Sequence, residues 1–352
     1  NIATNKNLNL FSLLDKKNNF QFLSHQYEHE SQLLEIKYKN SIHKIKLNLI
    51  GKVQFKNVLM AVIASIKSGV NIEDVLNAIP KIKSVEGRFE RVGRIKNNSK
   101  VILDYAHTPD ALKTCLQNIK EQFPGKKIAL VFGCGGNRDQ NKRAKMGKIA
   151  DLFSDKIYLT DDNPRLEQPS KIRKDIKKGI KKQKVLEYSN RAKAITEAIK
   201  NLNTGEILLV AGKGHEKIQE IGVKKIFFSD KKIILDAIKI KNLKLSNNLK
   251  VNILNELSAE KKISNQIFLE KARINSKEIK KNDIFFAIKG KKNDGNKFIS
   301  EAFKKKASVA VVNKIEKKLN ISRQIKSKDS LKLLTESSEL YRENIKTKII
   351  AI

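Results

Sequence analysis

Hydrophobic positions in residues 1–95 change from an alternating to a helical spacing. Residues 33–38 and 44–50 are short stretches typical of β-strands. After Gly51, apolar residues recur every three or four positions up to Ile66, which predicts a helix that ends at Gly69. The pattern then predicts a short helix over residues 72–79 and a strand over residues 89–95.

From residue 101 the pattern becomes a regular alternation of apolar runs and amphipathic stretches. Such alternation predicts an α/β fold with a parallel sheet covered by helices on both faces. Ligands bind at the carboxyl ends of parallel strands, so polar residues directly after these strands are candidate site residues. The predicted strands are residues 101–104, 128–132, 156–160, 185–188 and 207–211.

The last third of the chain has a different pattern. Residues 239–250, rich in Lys, Asn and Leu, are predicted to be a linker. Strands over 284–288 and 309–312 and helices over 298–305 and 331–341 predict a second, smaller α/β domain. Residues 348–352 are predicted to be the first strand of a further domain.

Composition narrows the class of protein. The 352 residues suffice for two or three domains, and a hydrophobic content of 40% favours globular folding. The net charge of +36 allows anionic partners, but lysine is spread along the chain and aromatic residues make up only 6%. This pattern argues against a dedicated nucleic-acid-binding function and is explained more simply by a general drift in composition towards Lys, Asn and Ile. The same charge would help to attract anionic substrates. Cys115 and Cys134 form no disulfide framework, which fits a reducing cytoplasm, and no apolar run is long enough to span a bilayer.

The chemistry is most concentrated in residues 161–165, which read Asp-Asp-Asn-Pro-Arg after a predicted strand. Arg165 can bind a carboxylate bidentately, and Asp162 and Asn163 can accept hydrogen bonds from an ammonium group. Pro164 fixes the backbone between them. These residues suit a free amino acid, whereas the alternative is an ordinary turn with a solvated arginine.

Three other loops follow predicted strands. Asp104 can hold ribose hydroxyls or a phosphate-bound cation. Alternatively, its carboxylate can accept hydrogen bonds from the backbone of the turn that it begins. The glycine-rich loop at 133–139 permits close backbone approach to a ligand, and its Arg138 is either a second carboxylate clamp or a surface charge. In the loop at 212–216, Glu216 can accept an ammonium group. His107 and His215 are assigned no role. No phosphate-binding loop is found in the sequence. Residues 290–295 come nearest to its pattern, but Asn296 stands where the pattern requires lysine.

Together these motifs resemble the Mur ligase family of peptidoglycan synthesis, and over residues 1–240 its diaminopimelate-adding members. The matching segments are residues 51–57, 87–88, 104–109, 133–138, 161–165 and 212–216. The resemblance implies ATP contacts from Asn57, Arg88 and Asp104, the last two also catalytic. It further implies that meso-diaminopimelate is bound by Arg138, Asp162, Asn163, Pro164, Arg165, Gly212 and Glu216.

Residues 250–352 resemble the N-terminal domain of a second Mur ligase, which adds D-alanyl-D-alanine. Its uridine nucleotide would contact Ser276, Lys289, Gly290 and Asp294, although the family's usual Asp-Ser-Arg is Asn275-Ser276-Lys277 here. The domains implied are the end of a central ATP-binding domain (1–92), a Rossmann-like C-terminal domain (93–240), this N-terminal domain (241–345) and the start of another central domain (346–352). The chain is thus expected to be a segment of a fusion of two ligases.

The implied reaction joins diaminopimelate to a UDP-MurNAc-peptide, with ATP and Mg²⁺ as cofactors. No metal ligand is identified in this segment. Two alternatives stay open: a segment that binds ligands without turnover, and a basic protein that binds nucleic acid. The sequence gives no oligomeric state.

Overall fold

An antiparallel meander and two helices form the first part of the fold. The computed structural model describes residues 20–28, 30–182, 185–258, 263–264, 266–290 and 293–345. Strands β1 (Phe20–Glu28), β2 (Ser31–Tyr38) and β3 (Ser41–Leu47) pair in that order. Helices α1 (Lys52–Lys67) and α2 (Ile72–Ala78) pack against the meander around Leu34, Leu47 and Leu59.

A six-stranded sheet follows, in the order β4-β5-β9-β6-β7-β8. Only β4 is antiparallel to its neighbour. The strands are β4 (Glu90–Arg91), β5 (Lys100–Asp104), β6 (Ile128–Phe132), β7 (Lys156–Thr160), β8 (Val185–Tyr188) and β9 (Ile207–Ala211). Helices α3 (Pro109–Gln122), α4 (Asn141–Phe153), α5 (Pro169–Lys177) and α6 (Arg191–Lys200) connect them. The predicted parallel α/β sheet is confirmed, but the strand predicted over residues 89–95 has only two residues.

The central strands have the burial expected of a parallel sheet. Every residue of β6 and of β9 is buried, as expected for strands covered by helices on both faces. Thr108 caps α3 by accepting a hydrogen bond from the Ala111 amide, and Pro109 occupies the first turn. A hairpin of β10 (Ile218–Ile221) and β11 (Lys224–Phe227) follows β9.

The chain divides into two compact units, residues 1–239 and 240–352. The boundary falls within helix α7 (Asp230–Leu257), so the prediction of a linker at residues 239–250 is wrong. Lysine and asparagine are compatible with a helix when apolar residues recur at helical spacing, and Ile234, Ile238, Val251 and Leu254 are buried.

The second unit contains a four-stranded parallel sheet. Its order is β12 (Ala272–Arg273), β13 (Ile284–Phe286), β14 (Val309–Val312) and β15 (Gln324–Lys326). Helix α8 (Ile299–Lys304) shares an apolar cluster with one face, and α9 (Ser330–Asn344) shares one with the other. The strand predicted at residues 348–352 lies outside the described residues.

Candidate functional site

The candidate site lies at the carboxyl edge of the six-stranded sheet. Strands β5, β9, β6 and β7 are neighbours, so the loops that follow them meet at this edge. The Gly212 amide donates to the Asp104 carbonyl at 3.1 Å, and the Gly136 amide donates to the Asn163 carbonyl at 2.9 Å. The four loops predicted from the sequence are therefore adjacent.

The glycines at 133–136 are needed for contact between two loops. A Cβ atom on Gly133 would lie 2.2 Å from the Thr160 carbonyl oxygen, and one on Gly136 would lie 1.9 Å from the Pro164 carbonyl oxygen. The sequence predicted that this backbone approaches a ligand closely, which stays a prediction; in the structure it closely approaches the backbone at Thr160 and Pro164.

Arg165 is held beside Arg138 and does not extend into bulk water. Its Nε lies 2.7 Å from Glu220 Oε2, and its Nη1 donates to the Gly136 carbonyl at 2.9 Å. A Cβ atom built on Gly135 would lie 3.0 Å from Arg165 Nη1 and 3.8 Å from Arg138 Cγ, so both side chains border this glycine. Within the described residues, Arg165 Nη2 has no hydrogen bond, which leaves it free for a carboxylate.

The β10–β11 hairpin fixes the backbone of Arg165. The Arg165 amide donates to the Glu220 carbonyl at 3.1 Å, and the Gly222 amide donates to the Arg165 carbonyl at 2.7 Å. These bonds hold Arg165 at a φ of 51°, in the left-handed region that non-glycine residues rarely adopt. The hairpin therefore orients the predicted carboxylate clamp.

Glu216 lies on the adjacent loop, in a network that includes Asn163. Glu216 Oε2 accepts hydrogen bonds from Lys213 Nζ at 2.9 Å and from Asn163 Nδ2 at 3.2 Å. Its Oε1 accepts one from the Tyr105 hydroxyl at 3.3 Å. Burial would raise the pKa of Glu216, but the bonds from Lys213, Asn163 and Tyr105 lower this pKa below its ordinary value. Glu216 is thus an ionised, partly exposed acceptor.

Asp162 is more deeply buried than the sequence suggested. Its Oδ2 has no hydrogen-bond partner among the described residues and lies 2.7 Å from the position of a Cβ atom on Gly212. Burial raises the pKa of Asp162, although the positive charges of Arg191 and Lys213 oppose this effect. The preceding carboxylate, Asp161, pairs with Arg173.

Four buried cations at this edge were missed by the sequence analysis. Lys213 and Arg191 are fully buried, and Arg191 binds Asp230 through two hydrogen bonds of 2.7 and 2.8 Å. Arg143, also buried, donates to both carboxylate oxygens of Glu167, at 2.8 and 3.0 Å. The fourth is Arg173. The one available signal was the position of Lys213 between two glycines directly after a buried strand.

Arg88 lies against Tyr105, which follows β5 at the same edge. Its guanidinium lies 4.5 Å from the centre of the Tyr105 ring, and its carbonyl accepts a hydrogen bond from Gln54 on α1. Asn57, one helical turn after Gln54, is exposed. A Cβ atom on Gly87 would lie 2.2 Å from the His215 amide nitrogen, so this segment packs directly against the loop at 212–216.

The Asp104 carboxylate is engaged within the fold. Oδ2 accepts a hydrogen bond from the Phe89 amide at 2.7 Å, and Oδ1 accepts bonds from the Ala106 amide at 2.7 Å and from Cys115 Sγ at 3.3 Å. Asp104 therefore holds the segment that contains Arg88. Its predicted contact with ATP stays a prediction.

The predicted nucleotide contacts of the second unit follow β12 and β13. Ser276 is buried, and its hydroxyl donates to Glu301 Oε2 at 2.7 Å. Lys289 and Asp294 pair through a β-bridge, and the Gly290 amide donates to the Asn293 carbonyl at 2.9 Å. Because β12 and β13 are parallel neighbours, these residues follow the same edge of the small sheet.

In the described part of the chain, no group of three or more His, Cys, Asp or Glu side chains is arranged to hold a metal ion. None of the described helices is long and apolar enough to cross a membrane.

Comparison with known proteins identifies the domain at this edge. Residues 87–214 match the family described as Mur ligase, glutamate ligase domain. The UDP-N-acetylmuramoyl-L-alanyl-D-glutamate–2,6-diaminopimelate ligase of Rickettsia montanensis is 39% identical over 231 residues, which cover 65% of this chain and 47% of that protein. The ligase of the same name from Fusobacterium nucleatum is 43% identical over 201 residues, 57% of this chain and 41% of that protein.

A solved structure of a ligase with the same name is also similar. It superimposes with a TM-score of 0.53 at 29% identity, covering 65% of this chain and 47% of that chain. The chain thus spans about half the length of the relatives that it matches. Residues 87–214 are thus similar to the glutamate ligase domain of the Mur ligase family.

Proposed function

We propose that this chain contributes to the ATP-dependent addition of meso-diaminopimelate to UDP-MurNAc-L-Ala-D-Glu during peptidoglycan precursor synthesis. The observation that carries the proposal is the position of Arg165. It lies beside Arg138, and the ionised Glu216 is on the adjacent loop. A carboxylate clamp next to an ammonium acceptor matches the amino-acid group at the far end of diaminopimelate. The names of the related ligases support the same substrate.

The proposed reaction has two steps. The side-chain carboxylate of D-glutamate attacks the γ-phosphate of ATP, which gives an acyl phosphate and releases ADP. The amine of diaminopimelate then attacks the acyl carbon and displaces inorganic phosphate, and its proton passes to solvent. Holding the far end of diaminopimelate places this amine near the acyl carbon and so reduces the entropic barrier.

Selection against lysine follows from the same contacts. Lysine has the distal ammonium group but no distal carboxylate, so it would lack the charged contact that diaminopimelate makes with Arg138 and Arg165. Arg165 already pairs with Glu220, so the expected difference is the loss of this added contact at a guanidinium that is only 26% exposed. Arg138 and Arg165 are therefore the proposed basis of substrate choice.

On the ATP side, Arg88 and Asn57 are the proposed contacts, since both are exposed. Asp104 keeps Arg88 in place through the Phe89 amide. No group of three or more His, Cys, Asp or Glu side chains among the described residues is arranged to hold a metal ion, so no Mg²⁺ ligand is assigned to them. The Mg²⁺ ion of the proposed reaction would be held largely by the ATP phosphates and water. We place the protein in the cytoplasm, where nucleotide-linked precursors are made. The proposal also includes a uridine nucleotide site at Ser276, Lys289, Gly290 and Asp294. It includes, with that site, the fusion of two ligases.

Titration calorimetry of the 352-residue chain with meso-diaminopimelate, and separately with L-lysine, tests this function. Diaminopimelate should bind at least about 30-fold more tightly, the effect of one buried charge pair. Equal affinities would refute the assignment. Phosphate release from ATP, measured with both substrates present, separates a catalytic chain from one that only binds ligands.

A further inference from the structure

Lys213 joins three segments at the candidate site. Its ammonium group is fully buried and donates three hydrogen bonds, to Asn163 Oδ1 at 2.9 Å, to Glu216 Oε2 at 2.9 Å and to the Ile218 carbonyl at 2.7 Å. An ammonium group has three donors, so all of them are used. The acceptors belong to the loop at 161–165, the loop at 212–216 and strand β10.

These bonds fix the orientation of the Asn163 amide. Asn163 Oδ1 accepts from Lys213 and also from the Glu220 amide at 3.1 Å. Both groups can only donate, so the oxygen must face them, and Asn163 Nδ2 faces Glu216. The oxygen then has no lone pair left for a substrate ammonium group, and Glu216 is the acceptor that stays partly exposed.

Lys213 belongs to a buried group of charged side chains. Asp162 interacts electrostatically with Arg191, Lys213, Asp230 and Glu216, and burial raises the pKa of Asp162. Asp162 Oδ2 is buried and has no hydrogen-bond partner among the described residues. Asp230 is fully buried, whereas the Glu216 side chain is 32% exposed, so Glu216 is the carboxylate of this group that a substrate ammonium group can reach.

We propose that Lys213 is a positioning residue for recognition of the substrate's distal amino-acid group: it turns the Asn163 oxygen away from the substrate and leaves Glu216 as the acceptor of the ammonium group. Without Lys213, Asn163 can rotate, and Glu216 loses its strongest hydrogen bond. This inference rests on the proposed function only for the identity of the ligand.

The first test needs no ligand. The side-chain amide signal of Asn163 is followed by ¹⁵N nuclear magnetic resonance in wild type, Lys213→Met and Lys217→Met, after assignment by its loss in Asn163→Ala. Lys217 is an exposed lysine directly after the loop at 212–216 and serves as the matched control. The Asn163 signal should move strongly in Lys213→Met and stay in place in Lys217→Met. An unmoved signal in a folded Lys213→Met variant overturns the proposal.

The second test measures affinity for meso-diaminopimelate. Loss of one partner of a buried charge pair predicts at least about 30-fold weaker binding in Lys213→Met, against less than about twofold in Lys217→Met. Lys213→Arg should recover part of this loss, because it keeps the charge. In the Lys213→Met, Asn163→Ala double variant, the fold-loss of diaminopimelate affinity should be smaller than the two single-variant fold-losses multiplied together. Such non-additivity is expected when two residues act through the same contact.

The two tests separate the inference from the proposed function. If Lys213→Met does not fold, Lys213→Leu replaces it, since leucine also removes all three donors. A moved Asn163 signal in a chain that does not bind diaminopimelate supports the positioning role and refutes the proposed function. Unchanged diaminopimelate affinity in Lys213→Met, with tight binding by wild type, refutes the positioning role.

Discussion

Replacing Arg165 by alanine should reduce the affinity for diaminopimelate far more than the affinity for ATP. In the free protein, Arg165 pairs with Glu220, and the side chains are 26% and 28% exposed. A pair this close to solvent contributes about 1 kcal/mol or less to stability, so Arg165→Ala should fold. When diaminopimelate binds, its distal carboxylate would lack this guanidinium in Arg165→Ala. The binding free energy should therefore weaken by about 2–5 kcal/mol, which is about 30-fold or more in affinity.

Calorimetric titration of the variant with meso-diaminopimelate, L-lysine and ATP measures this effect. Lysine affinity should change little, because lysine lacks the carboxylate that Arg165 would bind. Arg342→Ala removes an exposed arginine from the second unit and serves as the control, with no expected change. Equal losses for diaminopimelate and ATP would refute the assigned role, as would unchanged diaminopimelate affinity in a folded variant.

Three further predictions concern stability. Gly212 has a φ of 117°, and a Cβ atom added there would lie 2.7 Å from the buried Asp162 Oδ2. Gly212→Ala should therefore lower the free energy of unfolding by about 1–3 kcal/mol in urea titrations. The control Gly222→Ala, whose added Cβ would have no neighbour within 4 Å, should lower it by less. Arg191→Met leaves Asp230 buried and unpaired and should cost about 3–5 kcal/mol in the same assay, whereas adding Asp230→Leu should restore most of the loss; no recovery would contradict the pairing argument. The folded-state pKa of Glu216 lies below its ordinary value of 4.5, so ionised Glu216 stabilises the fold above pH 4.5 and this stabilisation is lost as the pH falls through the folded-state pKa. The melting temperature, measured from neutral to acidic pH, should therefore fall less steeply for Glu216→Gln than for wild type. Identical pH dependence of the two melting temperatures would contradict the lowered pKa.

The edge of the sheet at which the site forms was predictable from local pattern. Strands β6 and β9 are unbroken apolar runs, and each is followed by glycine and charged residues. A run of this kind must be covered on both faces, and its polar continuation must leave the core at the strand's end. Arg138, Arg165 and Glu216 were therefore placed at the correct edge, although their ligand contacts remain predictions.

Other features depended on contacts between distant parts of the chain. Residues 239–250 were predicted to be a linker because lysine and asparagine dominate them, but buried apolar residues on either side are part of one helix. The predicted ATP contact of Asp104 stays a prediction, but the hydrogen bonds that its carboxylate accepts from Phe89 and Cys115 could not be predicted from its own loop.

The sequence by itself determined the alternation of strands and helices, the loops at the carboxyl edge and the residue types that they present, because these follow from local spacing. Only the tertiary structure decided the strand order β9-β6-β7 and that the loops after β9 and β7 meet across β6, which places Lys213 next to Asn163, fifty positions earlier in the chain. A lysine between glycines is normally solvated. Here it is buried because acceptors from three separate segments surround its ammonium group, and no local pattern encodes their meeting.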